Sequence, residues 1–174
     1  MKVLHVITGL WKHTGGPSEV IPAICAAMAD AGADVSLATL AGDAAESVAT
    51  AAARGVHVHV FEPTFRHTVW YSHALAARMP RLAAAHDIVH IHGIWQFPDW
   101  AAAAAARRAG VPYVITPHGS LQPARLRKSR FKKRASSVLA DRAMLNQADC
   151  LHATAADEAD AFRLFGYQIG RAHV

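Results

Sequence analysis

Apolar positions along the chain fall into short runs, and two periods alternate between them. Residues 2–8 form a near-continuous Val, Leu and Ile run around His5, the pattern of a strand buried on both faces of a parallel sheet. After the turn Thr14-Gly15-Gly16-Pro17-Ser18, the residues Val20, Ile21, Ile24, Cys25 and Met28 recur at helical spacing until Gly32, with Pro17 or Ser18 supplying the start. Residues 34–38 predict a second strand, 44–54 a short alanine-rich helix ending at Gly55, and 56–61 a third strand. Residues 62–71 show no period and read as a loop into a helix at about 72–86. A fourth strand (87–92), a helix from Pro98 or Asp99 to Ala109, a fifth strand (113–116), a basic helical stretch to Gln147, a sixth strand (149–153) and a helix (157–165) follow. Strands separated by helices imply parallel pairing through right-handed crossovers. The fold class is therefore α/β, a doubly wound parallel sheet with helices on both faces.

Composition narrows the picture only in places. The 174 residues suffice for one domain that buries roughly two-thirds of its unfolded surface. Hydrophobic content is 52%, but much of it is alanine, and no run approaches the roughly 18 apolar residues of a membrane span. Residues 1–9 lack the basic start and small-residue cleavage pattern of a signal peptide, so a cytoplasmic location is expected. Cys25 and Cys150 have neither metal-ligand nor redox spacing and read as core residues in a reducing compartment.

The net charge of +5 is uneven, with Arg125, Arg127, Lys128, Arg130, Lys132, Lys133 and Arg134 packed into ten positions. Such a block attracts an anionic lipid surface, a phosphorylated substrate or nucleic acid, or else is a solvated loop and helix start. Nucleic acid is the weakest of these, because no aromatic stacking platform or helix-turn-helix pattern accompanies the charge.

The chemistry-bearing residues gather where strands are expected to end. In open α/β sheets ligands bind outside the carboxyl ends of the strands. His118-Gly119-Ser120-Leu121 follows the fifth strand, Gly93-Ile94-Trp95 follows His90-Ile91-His92, and Gly15-Gly16 follows the first strand. Three strand ends carrying glycine with polar or aromatic groups read as one site. Gly15 and Gly16 form a turn that lets a ligand approach backbone amides at a helix start, or simply a tight turn. The turn is not G-x-G-x-x-G, and Thr39-Leu40-Ala41 supplies no acid at the second strand's end, which disfavours a nicotinamide cofactor.

His118 either hydrogen-bonds a neighbouring loop or positions a sugar hydroxyl and shares a proton. His90 and His92 share a strand face; His92, nearer the end, is the candidate for the cleft, and His90 is expected in the interior. A metal site is not expected, since the spacing offers no third ligand. Trp95, Phe97 and Trp100 crowd the loop after the fourth strand and suit the apolar faces of sugars or lipid tails, with core packing sufficient for Trp100. Glu158 accepts hydrogen bonds in the cleft or complements its helix dipole. No nucleophile elbow, phosphate-binding P-loop or paired carboxylates appear, which argues against hydrolase, nucleotide triphosphatase and glycosidase chemistry.

Taken together, Thr14-Gly15-Gly16-Pro17-Ser18, His90-Ile91-His92-Gly93-Ile94-Trp95 and Thr116-Pro117-His118-Gly119-Ser120-Leu121 resemble the N-terminal domain of family 4 glycosyltransferases with the GT-B fold. Lys132-Lys133 and Thr154-Ala155-Ala156-Asp157-Glu158 fit the same pattern. The resemblance covers residues 1 to about 168 and is strongest to bacterial members that build exopolysaccharide or lipopolysaccharide. It implies one of two facing Rossmann-like domains, this one receiving a saccharide or lipid-linked acceptor and the other binding a nucleotide-sugar donor, with metal-independent transfer that retains anomeric configuration and no cofactor. It further implies that Gly15 and Gly16 approach the donor phosphate or the acceptor, that His118 is the active-site histidine contacting the transferred sugar, and that the basic stretch is a peripheral contact with the inner face of the cytoplasmic membrane. His92, Trp95, Gly119 and Glu158 complete the expected substrate contacts.

The C-terminal donor domain with its E-x7-E motif is absent from these 174 residues, so the chain alone is expected to be inactive. Residues 169–174 back-translate as ATC GGA AGA GCA CAC GTC, the read of a common sequencing adapter. They are expected to be non-native, with the natural sequence breaking off near Gln168. The alternative is a non-catalytic Rossmann-like module that recruits an anionic partner or membrane through residues 125–134.

Overall fold

Six parallel strands make one sheet in the order β3-β2-β1-β4-β5-β6 in the computed structural model, which describes residues 1–11, 16–43, 45–65, 69–121 and 140–164. The strands are β1 (Lys2–Gly9), β2 (Asp34–Leu40), β3 (His57–Phe61), β4 (Ile88–His92), β5 (Tyr113–Ile115) and β6 (Cys150–Leu151). Between them run α1 (Gly16–Asp30), α2 (Ala45–Ala53), α3 (His73–Ala84) and α4 (Phe97–Ala109); residues 140–146 are helical before β6, and α5 (Ala156–Leu164) follows it. This is the expected doubly wound α/β sheet. The strand order reverses between β1 and β4, and such a switch point opens a crevice at the carboxyl ends of the strands.

Element positions follow local chemistry. Ser72 caps α3 by accepting from the Leu75 amide at 3.2 Å, and its hydroxyl donates to the Glu62 carbonyl at 2.8 Å. Gly110 ends α4 in the left-handed region at φ 67°, where a side chain would be strained. Strand β2 runs two residues beyond the expected Ala38, because Thr39 and Leu40 pair with Val60 and Phe61 of β3 and are buried. β6 is shorter than expected, pairing with β5 through Val114–Cys150 and Ile115–Leu151. The basic stretch and residues 169–174 lie outside the described residues. Among the described residues, no helix is long and apolar enough to cross a membrane.

The strand period of two divides the interior in half. Leu4, Val6, Val89, Ile91, Tyr113, Ile115 and Leu151 point to one face, where α3 and α4 cover them. Four buried alanines of α4, Ala102, Ala103, Ala105 and Ala106, let that helix lie close to the sheet. On the other face Ile7, Val35 and Leu37 pack against Ile21 and Cys25 of α1 and Ala51 of α2. That face is apolar over β1 and β2. Over β1 and β4 it changes character, because the alternation there brings up His5, His90 and His92.

Candidate functional site

The histidine side chains meet because of strand register. His5 of β1 stands opposite His90 of β4, and Ile7 opposite His92, so all three imidazoles occupy the α1 face of the switch point. His90 in turn stands opposite Val114 of β5, which brings up Thr116 two residues on, and Cys150 of β6 brings up His152 in the same way. The result is two short chains of hydrogen bonds. His5 Nδ1 lies 2.8 Å from His92 Nε2, and His92 Nδ1 lies 3.1 Å from His118 Nε2. His90 Nε2 lies 2.8 Å from the Thr116 hydroxyl, which is 3.0 Å from His152 Nδ1. The hydrogen-bonded rings lie edge to edge and nearly in line, with centroids 5.1 Å apart for His5 and His92 and 5.4 Å apart for His92 and His118.

His90, His92, Thr116, His118 and His152 form the floor of a cleft of about 260 Å³ at the carboxyl ends of the central strands, with His5 buried behind them. His90, His92, Thr116, His118, His152 and Thr154 supply its polar lining. Gly16, Pro17, Val20 and Ile24 of α1 form the opposite wall. The helix is tied there by the Ser18 hydroxyl, which donates to the Trp11 carbonyl at 2.9 Å. A side chain added at Gly16 would meet nothing within 4 Å, so the first turn of α1 faces open space that a ligand can fill.

Burial sets the charge of the floor. His5 is pushed down to about 4 and His90 to about 3, in both cases first by desolvation; neighbouring histidines add to the effect at His90. His92 is lowered well below the ordinary histidine value by its burial and then by His90, His5, His118 and His152. His118, half-buried, is lowered by desolvation, with the Glu158 carboxylate opposing the shift and His152 adding to it. At neutral pH these four rings are uncharged donors and acceptors. The cleft floor thus carries no fixed charge on these rings, and the surface it exposes is almost wholly apolar.

The loop carrying His118 is built around Glu158. This carboxylate is buried and accepts from the Gly119 amide at 2.6 Å, the Thr154 amide at 2.8 Å and the Thr154 hydroxyl at 2.9 Å. It fixes the cleft wall from behind and sits in the first turn of α5; both oxygens are engaged within the protein and it is not part of the cleft lining, so it does not stand where a substrate contact was expected. His118 and Gly119 take φ 51° and 72°, left-handed values that aim the imidazole back toward His92.

The loop after β4 rests on two other carboxylates. Asp99 is buried, accepts from the Thr8 hydroxyl at 3.3 Å and the Gln96 amide at 3.2 Å, and is raised to about 8 mainly by desolvation. Asp141, raised by burial against the pull of its partners, accepts from the Trp95 amide at 3.0 Å and the Trp100 indole at 2.6 Å. They hold Trp95 at φ 77°.

Among the described residues, three of the six predicted from the sequence line one cleft, two stand behind it and one turns away. Gly16, His92 and His118 line the one cleft, and Gly119 and Glu158 support it. His90, expected in the interior, is less buried than His92 and lines the cleft beside it, because the strand face on which both stand opens toward α1. Trp95 packs against the α3 and α4 side with Phe97 and Trp100, away from the cleft lining. Gly15 and Arg125, Arg127, Lys128, Arg130, Lys132, Lys133 and Arg134 lie outside the described residues. Sequence reasoning missed His5 and His152, whose role depends on which strands are neighbours. It also missed Asp99 and Asp141, which no local pattern distinguishes from surface acids.

His5 also supplies the third ring that spacing did not offer for a metal. One nitrogen from each of His5, His90 and His92 lies within 4.8 Å of the others. A tetrahedral zinc site with bonds of about 2.0–2.1 Å sets its nitrogens about 3.4 Å apart. Holding an ion would require these rings to draw together and give up the His5–His92 hydrogen bond.

Known proteins share both the sequence pattern and the fold. Residues 15–174 match the glycosyl transferase 4-like domain. None of the curated proteins matches the chain in sequence. Among solved structures, it is similar to Alr3699/HepE of Anabaena in complex with UDP and glucose, with a TM-score of 0.62 and 18% identity over 97% of this chain and 42% of that one. It is similar to a candidate UDP-N-acetylglucosamine 2-epimerase of Listeria monocytogenes, with a TM-score of 0.62 and 14% identity over 96% of this chain and 43% of that one. A glycosyltransferase of Rickettsia africae ESF-5 has a TM-score of 0.54 and 13% identity over 97% of this chain and 40% of that one. At such identities the likeness is one of fold. This chain spans about two fifths of the length of each of these proteins. Its all-parallel six-stranded sheet is a Rossmann-like half of the GT-B kind, and the chain belongs to the glycosyl transferase 4-like domain family.

Proposed function

We propose that this domain is the acceptor-side half of a retaining, metal-independent glycosyltransferase of the hexosyltransferase type, which moves a sugar from a nucleotide-sugar donor to a saccharide or lipid-linked acceptor in cell-surface polysaccharide synthesis. The observation that carries the reading is the convergence of Gly16, His92 and His118 on one cleft at the strand-order switch point. An uncharged His118 ring whose Nε2 is engaged by His92 suits a polyhydroxylated ligand, because its other nitrogen can make a directed hydrogen bond. The apolar wall of Pro17, Val20 and Ile24 suits a sugar face or the first segment of a lipid carrier. Similarity to the Anabaena protein seen with UDP and glucose supports a nucleotide-sugar donor. The donor would be held mainly by a second domain, so the 174 residues alone would be inactive. A cytoplasmic enzyme seated on the inner face of the membrane through residues 125–134 is consistent with their charge.

The test is transfer by the full-length protein from radiolabelled nucleotide sugars to lipid-linked saccharide acceptors, with and without EDTA. Product with the donor's anomeric configuration and a rate indifferent to EDTA is expected. An inverted product, or a rate abolished by EDTA and restored by a divalent cation, would overturn the retaining, metal-independent assignment.

A further inference from the structure

The buried imidazoles of the cleft floor form a chain with a direction. His92 is buried and neutral, and a neutral imidazole has one N–H and one bare nitrogen. Both of its nitrogens are engaged, Nε2 with His5 Nδ1 at 2.8 Å and Nδ1 with His118 Nε2 at 3.1 Å. It therefore donates to one neighbour and accepts from the other, which locks the tautomers of His5 and His118 to each other. Two arrangements satisfy the chain. In the first, His5 donates from Nδ1 to His92, His92 donates from Nδ1 to His118, and His118 carries its proton on Nδ1. In the second, every proton sits on Nε2, His118 donates to His92, and His92 donates to His5.

The ends of the chain decide between them. His5 Nε2 is buried and has no hydrogen-bond partner among the described residues. The second arrangement leaves an orphaned N–H there, whereas the first leaves only a bare nitrogen. Orphaned buried N–H groups are rarer than under-satisfied acceptors. At the other end, His118 Nδ1 has no hydrogen bond among the described residues, and its ring lines the cleft, where a ligand oxygen can accept from it.

We propose that His5, acting through His92, is a positioning residue that fixes His118 in the Nδ1–H tautomer, so that His118 meets a substrate oxygen as a hydrogen-bond donor and does not take a proton from it. The lone pair of His118 is spent on His92 inside the protein. The ligand class follows from this polarity: an acceptor oxygen, such as a sugar hydroxyl or ring oxygen, placed within reach of Nδ1. The substrate part of the inference rests on the glycosyltransferase reading, whereas the tautomer part stands on the geometry alone.

Two measurements on the full-length protein separate these parts. With nitrogen-15-labelled histidine, long-range proton–nitrogen correlation reads which ring nitrogen bears hydrogen. Protons on Nδ1 of both His92 and His118 near neutral pH are expected, and a proton on His118 Nε2 would overturn the assignment. In the second measurement, His5→Asn keeps an N–H near the position of Nδ1, whereas His5→Leu fills similar space and donates nothing. His5→Leu should lower kcat about tenfold with little change in acceptor KM, and His5→Asn should recover most of the loss. If His5 only filled space, Leu would equal or outperform Asn, which would overturn the positioning role. Unchanged kcat in both variants would likewise overturn the positioning role, whereas a confirmed Nδ1 tautomer in a protein that transfers no sugar would leave the tautomer standing and sink the glycosyltransferase reading. Should His5→Leu fail to fold, the tautomer measurement on the unsubstituted protein still decides.

Discussion

The two faces of the same strands have been put to opposite uses. On the α3 and α4 face, Leu4, Val6, Val89 and Ile91 are buried among alanines and aliphatics, and their contribution is packing. One residue along each strand, on the α1 face, His5, His90 and His92 are nearly as buried but form hydrogen-bonded chains that lead to the cleft. A period of two is enough to separate stability from chemistry by a single backbone step. The cost of the arrangement also falls on one face, since imidazoles held neutral in the interior make folding depend on pH.

The largest effect should come from the apolar face. Ile91→Ala removes a fully buried side chain and should lower stability by about 2–5 kcal/mol in a denaturant melt. A smaller loss than this would mean that the α3 and α4 face is not the main core.

Acid should act on the other face. His5 and His90 have folded values of about 4 and 3 against 6.5 unfolded, so between those limits the unfolded chain binds more protons than the folded one. Their stabilisation is complete above pH 6.5 and is lost as pH falls toward 4, by up to about 1.4 kcal/mol per pH unit for each ring. Asp99 works in the opposite sense. Raised to about 8 from 3.8, it stays protonated in the folded state while the unfolded chain ionises, so its contribution falls as pH rises from 3.8 to 8. Thermal melts from pH 4.5 to 8.5 should therefore pass through a maximum near neutrality, and Asp99→Asn should remove the decline on the alkaline side.

Thr116→Val should have a smaller effect, about 1 to 2 kcal/mol, through loss of the hydroxyl between His90 and His152 at nearly constant shape. It should also change the titration of His90, read by NMR, whereas Ile91→Ala should leave that titration in place. Equal effects of the two substitutions on His90 would erase the distinction between the faces.

The fold was legible because periodicity carries most of it. Strand runs such as residues 2–8, and the glycine stops at Gly32, Gly55 and Gly110, are local signals, and the parallel sheet follows from their alternation. The candidate site was legible in part. His92, His118 and Gly16 stand at strand ends that any doubly wound sheet brings together. His5 looked like one polar residue within a strand, and its pairing with His90 became visible only through the β1–β4 register. Trp95 reads from sequence as a contact for a sugar face or lipid tail, because nothing local reveals that Asp141, 46 residues away, holds its amide and turns the loop toward the core. Burial of Asp99 in α4 was equally hidden, since it is packed against β1, where Thr8 donates to it.

The most direct test of the cleft as the seat of chemistry is the transfer rate of the full-length protein carrying His118→Gly. Glycine tolerates the left-handed backbone at φ 51° and offers no side-chain donor, so the loop on Glu158 should persist and the melting temperature should stay close to that of the unsubstituted protein. The expected result is a fall in kcat of at least about 100-fold with the fold intact. A rate within about twofold of the original, in a protein that melts normally, would contradict a catalytic role for His118 and for the cleft built around it.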